Sequence, residues 1–304
     1  MKIAVIGAGA MGSLFGALFA ESGEDVRLYD IWEEHVKAIN EKGLCIELDG
    51  KTRSVSVNAT TDKREIGKTG LAIIFVKSTQ TGDAARTASE LTGNNGFVLT
   101  LQNGIGNADI IGKVIDPGQI IAGTTSHGAT MLGPGSIRHA GTGPTVIGMW
   151  SGIQKTGIQK VSDVFNKAGI ITETVDNVRS VIWAKLLINV GINAITALTG
   201  IKNGRIFDLS ATKALSRAAV EEAMEVAEAL GVEVPCDIVE HVFKVAEATK
   251  GNRSSMGQDV DNKRQTEISA INGAVVKEAQ KLGINVPVNQ TLTTLIETLQ
   301  AHYK

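Results

Sequence analysis

Short apolar runs alternate with amphipathic stretches through the first half of this chain. Residues 3–6 form an apolar run and predict a strand, followed by a helix of small residues over 10–22. A second strand is predicted over 25–29 and a second helix over 33–42. Residues 71–76 are apolar throughout, as expected of a strand buried on both faces. A helix over 81–91 and strands over 96–101 and 120–125 continue the alternation. Strand and helix at this spacing predict an α/β fold, a Rossmann-type doubly wound parallel sheet. Gly and Pro cluster over 133–150, with short β-like pieces around Ile137 and over 145–147. Beyond about Asp176 the strand signals vanish, and residues 179–198, 210–230, 236–249, 256–282 and 289–302 all carry helical periodicity. Gly231 and Gly283 stand just past helix ends, with Pro235 and Pro287 shortly after, which is helix-stop chemistry. The pattern divides the chain into a dinucleotide-binding Rossmann domain, 1–175, and an all-helical substrate and catalytic domain, 176–304.

Composition narrows the class. A chain of 304 residues has room for two ordinary domains, and 43% hydrophobic with 20% charged residues is globular. The formal charge is -2 and no Lys/Arg run occurs, which argues against a nucleic-acid partner. The first apolar run is too short for a signal peptide, and no stretch approaches the length of a membrane span. No membrane association is expected, and the location expected is cytoplasmic. Cys45 and Cys236 lie far apart without a CxxC pattern, and the histidines lack metal-ligand spacing, so reduced thiols and no metal are expected.

Between the first strand and helix stands Gly7-Ala8-Gly9-Ala10-Met11-Gly12, a G-x-G-x-x-G. Gly7 allows a tight turn, Gly9 leaves room where backbone meets a pyrophosphate, and Gly12 lets helix and strand pack closely. The N–H groups at the helix start then face the phosphates. The hexapeptide alone is a weak signal, but Asp30 ends the second strand about 20 residues on. An acid there accepts both ribose hydroxyls and repels a 2′-phosphate, and no Arg follows within 31–36, so NAD(H) is favoured over NADP(H). Asp30 could equally cap the helix over 33–42. Lys77 and Asn103 each follow a strand's C-terminal end, the edge at which such sheets bind ligands. A solvated lysine and an Asn-Gly turn explain them as well.

In the helical half, Lys185, Asn189 and Asn193 are spaced i, i+4, i+8 and share one face of an otherwise apolar helix. Buried polar groups need partners, so the stripe serves either a structural network or a polar substrate. Ser254-Ser255-Met256 starts another helix, with Glu267 about three turns along it. Glu267 could neutralise Lys185; a helix cap and a solvated charge account for the same residues.

Taken together, these residues resemble the ketopantoate reductase (2-dehydropantoate 2-reductase) family over nearly the whole chain. The resemblance rests on Gly7 to Gly12, Val76-Lys77, Gln102-Asn103-Gly104-Ile105-Gly106, Gly123-Thr124-Thr125-Ser126-His127-Gly128-Ala129 and Trp183-Ala184-Lys185-Leu186. It continues through Asn189, Asn193, Asn203-Gly204, Ser254-Ser255-Met256, Asp259, Thr266-Glu267-Ile268 and Ile271-Asn272-Gly273. It implies a helical half like the C-terminal domain of 6-phosphogluconate dehydrogenase. Lys185 would be the proton donor, and Asn189, Asn193, Asn203 and Ser255 substrate contacts. Glu267 would orient Lys185 and reach substrate or cofactor. Asn103 would touch both ligands, with Ala8, Ala10, Met11, Lys77 and Ala129 along the cofactor. The implied reaction is hydride transfer to the C2 carbonyl of a 2-oxo acid, giving (R)-pantoate on the route to pantothenate and coenzyme A. Many members carry a basic residue after the second strand and use NADPH; Asp30-Ile31 departs from that pattern and favours NAD(H). The alternatives are an NAD-dependent D-2-hydroxyacid dehydrogenase of the same fold and a non-enzymatic dinucleotide-binding redox sensor. The resemblance also allows a homodimer.

Overall fold

The apolar run at the start of the chain forms a strand, Lys2–Ile6 (β1), buried along all but its first residue. The computed structural model describes residues 1–152 and 156–303. Further strands follow in chain order: Asp25–Tyr29 (β2), Leu44–Leu48 (β3), Lys51–Val55 (β4), Asn58–Thr60 (β5), Leu71–Ile74 (β6) and Phe97–Thr100 (β7). Next come Ile120–Thr125 (β8), Gly128–Gly133 (β9), Ser136–Gly141 (β10), Thr145–Met149 (β11) and Thr172–Thr174 (β12). The helices of this part are Ala10–Glu21 (α1), Glu33–Lys42 (α2), Thr81–Thr92 (α3), Asn107–Ile111 (α4) and Thr156–Lys167 (α5).

The main sheet has the order β12-β11-β8-β7-β6-β1-β2-β5. From β8 through to β5 every pairing is parallel. That stretch has the strand order of a doubly wound dinucleotide-binding sheet, with its reversal between β1 and β6. β11 pairs antiparallel with β8 and parallel with β12, so the complete sheet is mixed. A smaller sheet has the order β4-β3-β10-β9. The sequence pattern does not single out β3, which carries Leu44-Cys45-Ile46, or the mostly polar β4; their connection, Asp49-Gly50 with positive φ at both residues, is the turn signal that predicts such a hairpin. Phe15, Phe19 and Phe165 fill the core of this unit, where Phe19 and Phe165 meet edge-on at 4.8 Å.

The chain resolves into two compact units, one of Met1–Gln102 with Asn107–Val178, the other of Asn103–Gly106 with Arg179–Lys304. The second is helical: Val178–Thr199 (α6), Ser210–Ala229 (α7), Ile238–Ala248 (α8), Ser255–Asp261 (α9), Asn272–Leu282 (α10) and Pro287–Ala301 (α11). Its core gathers Leu186, Leu187 and Val190 of α6 with Val220, Val242, Val275 and Ile296 of other helices. Gly283 ends α10 in the left-handed conformation, and Pro287 opens α11.

Two expectations are corrected. The single helix predicted over 256–282 is broken. α9 stops at Asp261, Lys263 takes φ 52°, and Gln300 Oε1 accepts from both the amide and the hydroxyl of Thr266. Glu267 therefore lies in the break, ahead of a short 3-10 turn over Ile268–Ala270, and not three turns along a helix. The second correction concerns membranes: α6, with 22 residues, is long and apolar enough to cross one by length and composition. Here its apolar residues lie in the core of the helical unit, and it carries the Lys185 stripe.

Candidate active site

In the first unit, the end of β1 turns through Gly7, whose φ is +94° and whose N–H donates to Tyr29 O at 2.8 Å. A Cβ at Gly7 would stand 2.7 Å from Val76 N, so only glycine passes beneath the loop after β6. Gly9 precedes α1, no side chain caps that helix, and a Cβ at Gly9 would meet nothing within 4 Å. Open space in front of uncapped helix N–H groups fits a dinucleotide pyrophosphate. Gly12 is needed for packing, since a Cβ there would lie 1.9 Å from Gly7 O. Ala8 is buried, while Ala10 and Met11 are half-buried.

Asp30 lies beside this turn. Its Oδ2 accepts from Ala8 N–H at 2.7 Å and its Oδ1 from Trp32 N–H at 3.0 Å. The residue capping α2 is Trp32, so Asp30 holds the turn before the helix and is not its N-cap. A carboxylate has about four lone-pair sites, so two remain for hydroxyl donors. Lys77 is exposed, directly before the 3-10 turn that follows β6. Ala129 sits on β9 opposite His139. The sequence assigns no role to Gln102, whose amide donates to Val76 O at 2.8 Å and Thr81 Oγ1 at 2.9 Å, joining the loop after β7 to the loop after β6 and the start of α3. No periodicity marks such a residue.

In the second unit, α6 presents Lys185, Asn189 and Asn193. Lys185 keeps some exposed surface, yet its ammonium is enclosed, and burial pushes it down to about 8 against the upward pull of the Glu267 carboxylate. Glu267 Oε2 also accepts from Asn103 Nδ2 at 3.2 Å. The segment 103–106 is held against this region by Ile105 N–H, which donates to Ala270 O at 3.0 Å. Gly104 takes φ +82°, and a Cβ there would stand 2.1 Å from Ala270 O. Gly104→Ala is therefore expected to strain this contact by about 1–3 kcal/mol and to displace Asn103. Thermal unfolding checks it; a variant as stable as the parent removes the constraint.

Asn193 is buried; Asn189 is half-buried, with an Nδ2 that is shut off from solvent and has no protein acceptor. Asn203 is buried and donates to Thr249 Oγ1 at 3.0 Å, while its Oδ1 is solvent-excluded and unpaired. Native interiors rarely leave such groups unsatisfied, so one donor and one acceptor here await a ligand or water. The adjacent serines separate in role. Ser254 is buried, caps α9 by accepting from Gly257 N–H at 3.0 Å, and accepts from Thr196 Oγ1 at 2.7 Å. Ser255 is exposed at the first position of α9. Thr196 continues the α6 stripe one turn beyond Asn193, a spacing that could have revealed it.

The family described as ketopantoate reductase PanE/ApbA matches residues 3–152, and its C-terminal counterpart matches residues 177–300. A 2-dehydropantoate 2-reductase of Pyrococcus abyssi is 39% identical over 302 residues, covering 99% of this chain and 98% of its own. One of Halobacterium salinarum is 37% identical over 301 residues, covering 99% of each. Among solved structures, a PanE/ApbA family ketopantoate reductase from Ralstonia eutropha superposes with TM-score 0.91 at 34% identity, covering 99% of each chain. A D-mandelate dehydrogenase bound to NADH and anilino(oxo)acetate superposes with TM-score 0.92 at 30% identity, again covering 99% of each.

Proposed function

The chain belongs to the ketopantoate reductase family, and from that premise we propose that it reduces 2-dehydropantoate to (R)-pantoate with a nicotinamide cofactor, Lys185 giving the proton. The observation that carries the proton-donor role is the enclosed Lys185 ammonium, lowered to about 8 and paired electrostatically with Glu267. A lysine tuned towards neutrality is suited to general acid work, because it yields its proton at modest pH.

The residues of the Gly7 to Gly12 turn, with Asp30, Lys77 and Ala129, would hold the dinucleotide. When bound, the cofactor supplies a hydride to the C2 carbonyl carbon of the 2-oxo acid. Negative charge then develops on the carbonyl oxygen. The Lys185 ammonium stabilises that charge and passes a proton to the oxygen, leaving a neutral amine. Glu267 keeps the ammonium charged before the step and orders the Asn103 side-chain amide, which donates to it. The unpaired Asn189 Nδ2 donates to substrate oxygen, and the unpaired Asn203 Oδ1 accepts from a substrate hydroxyl. Asn193 and the exposed Ser255 hydroxyl complete the polar lining.

NADH is the preferred form in this reading, because a 2′-phosphate beside the Asp30 carboxylate meets like charge. Kinetics with both dinucleotides against 2-dehydropantoate and a panel of other 2-oxo acids test the assignment. The expected result is a higher kcat/KM with NADH, which Asp30→Ala narrows by about tenfold, as a pair of hydrogen bonds to an ionised group would. A parent preference for NADPH overturns the cofactor assignment, and a preference of more than about tenfold, or 1.4 kcal/mol, for another 2-oxo acid overturns the substrate.

A further inference from the structure

His35 is a fully buried imidazole on the first turn of α2 that the proposed reaction does not use. Gly135, in the turn between β9 and β10, donates its N–H to Nδ1 at 2.9 Å. A ring nitrogen that accepts carries no proton, so the proton sits on Nε2 and the ring is neutral. Burial favours that neutral state, against the Asp30 carboxylate and the Ala8 carbonyl, which act in the opposite direction. Nε2 lies 3.1 Å from Ser13 Oγ, and with this tautomer it donates there. Ser13, also fully buried, donates its own hydroxyl to Ala8 O at 2.8 Å. The relay is directional: Gly135 N–H to His35, His35 N–H to Ser13, Ser13 O–H to the carbonyl of Ala8.

Its end point is the dinucleotide turn. Ala8 is held on its amide side by Asp30 and on its carbonyl side by Ser13. The next residue, Gly9, has no Cβ, and a Cβ there would meet nothing within 4 Å, so no side chain packs against the Gly9 side of the peptide. Ser13 holds it instead, its N–H donating to Gly9 O at 2.8 Å and its hydroxyl to Ala8 O at 2.8 Å. We propose that Ser13 and His35 are positioning residues for the cofactor, fixing the Ala8–Gly9 peptide so that the first N–H groups of α1 are aimed before the pyrophosphate arrives. The proposal rests on reading Gly7 to Gly12 as the cofactor site. Its effect falls on cofactor affinity and leaves the proton-transfer step alone, since neither residue belongs to the Lys185 cluster.

Equilibrium NADH binding, steady-state kinetics and thermal unfolding of Ser13→Ala, His35→Asn, His35→Gln and the Ser13→Ala/His35→Asn double variant test it. Losing one relay bond of about 1 kcal/mol corresponds to a Kd for NADH raised about fivefold in Ser13→Ala and His35→Asn, with kcat at saturating NADH near the parent value. The double variant is no worse than the weaker single one, because both break one chain of bonds. His35→Gln keeps an N–H within reach of Ser13 and restores most of the affinity. A general packing role would treat Asn and Gln alike, lower stability, and leave the KM-to-kcat balance unmoved. The proposal is overturned if the parent binds NADH and both single variants match it, or if kcat falls in step with affinity. A parent that binds neither NADH nor NADPH overturns the cofactor reading itself.

Discussion

Lys185→Ala lowers kcat for 2-dehydropantoate reduction by about 10²–10⁴-fold, the usual worth of a positioned general acid, and leaves NADH affinity nearly unchanged. The separation follows from placement: Lys185 lies on α6, and the groups that would hold the pyrophosphate lie on the turn before α1. The pH dependence has a definite sign. The ammonium is lowered to about 8, so the donor is present below that pH and lost above it. Reduction therefore falls as pH rises through about 8, and pantoate oxidation, which needs the free amine, rises through the same range. Lys185→Arg retains charge but holds its proton throughout, so its residual rate is low and without that limb. Near-parental turnover in Lys185→Ala removes the residue from the proton-donor role. A parent profile that is flat between about pH 7 and 9 removes the titration assigned to it.

Gly12→Val is the variant expected to damage the first unit most. The added Cβ would lie 1.9 Å from Gly7 O and 3.2 Å from a Val5 methyl group. The first contact is with backbone, so no rotamer change relieves it. α1 must move from β1, and the N–H groups at its start move with it. Overpacking of this kind costs about 1–3 kcal/mol or more, and each kcal/mol lowers Tm by about 2–4 °C in a domain of this size. NADH binding is expected to be lost before the fold is, because the pyrophosphate depends on the direction of those N–H groups. Differential scanning calorimetry with and without NADH checks both effects. Unchanged Tm and unchanged NADH affinity would mean that helix and turn separate without consequence, and the close-packing argument would fall.

Elements were legible where their signals are local. β2 and α2 take the bounds that the hydrophobic pattern predicts, since a strand buried at alternate residues and an amphipathic helix each write their period into neighbouring residues. Strands such as β4, exposed at most positions, write no such period. The break after α9 escaped for a different reason. Ile268 and Ile271 keep a helical spacing, while the interruption depends on Gln300, a residue remote in sequence that bonds to Thr266.

The sequence by itself determined the glycine turn, the acid after β2 and the polar face of α6, because each is a matter of spacing within one or two elements. It could not determine which groups meet. Only the folded chain brings Asn103 to Glu267 across 164 positions, and only the enclosure of Lys185 lowers its ammonium to about 8. Only folding leaves Asn189 Nδ2 without an acceptor and links His35 through Ser13 to Ala8. The physical reason is common to all of these. Local periodicity depends on backbone geometry that neighbouring residues share, whereas desolvation and hydrogen-bond pairing depend on what the remainder of the chain places around a group.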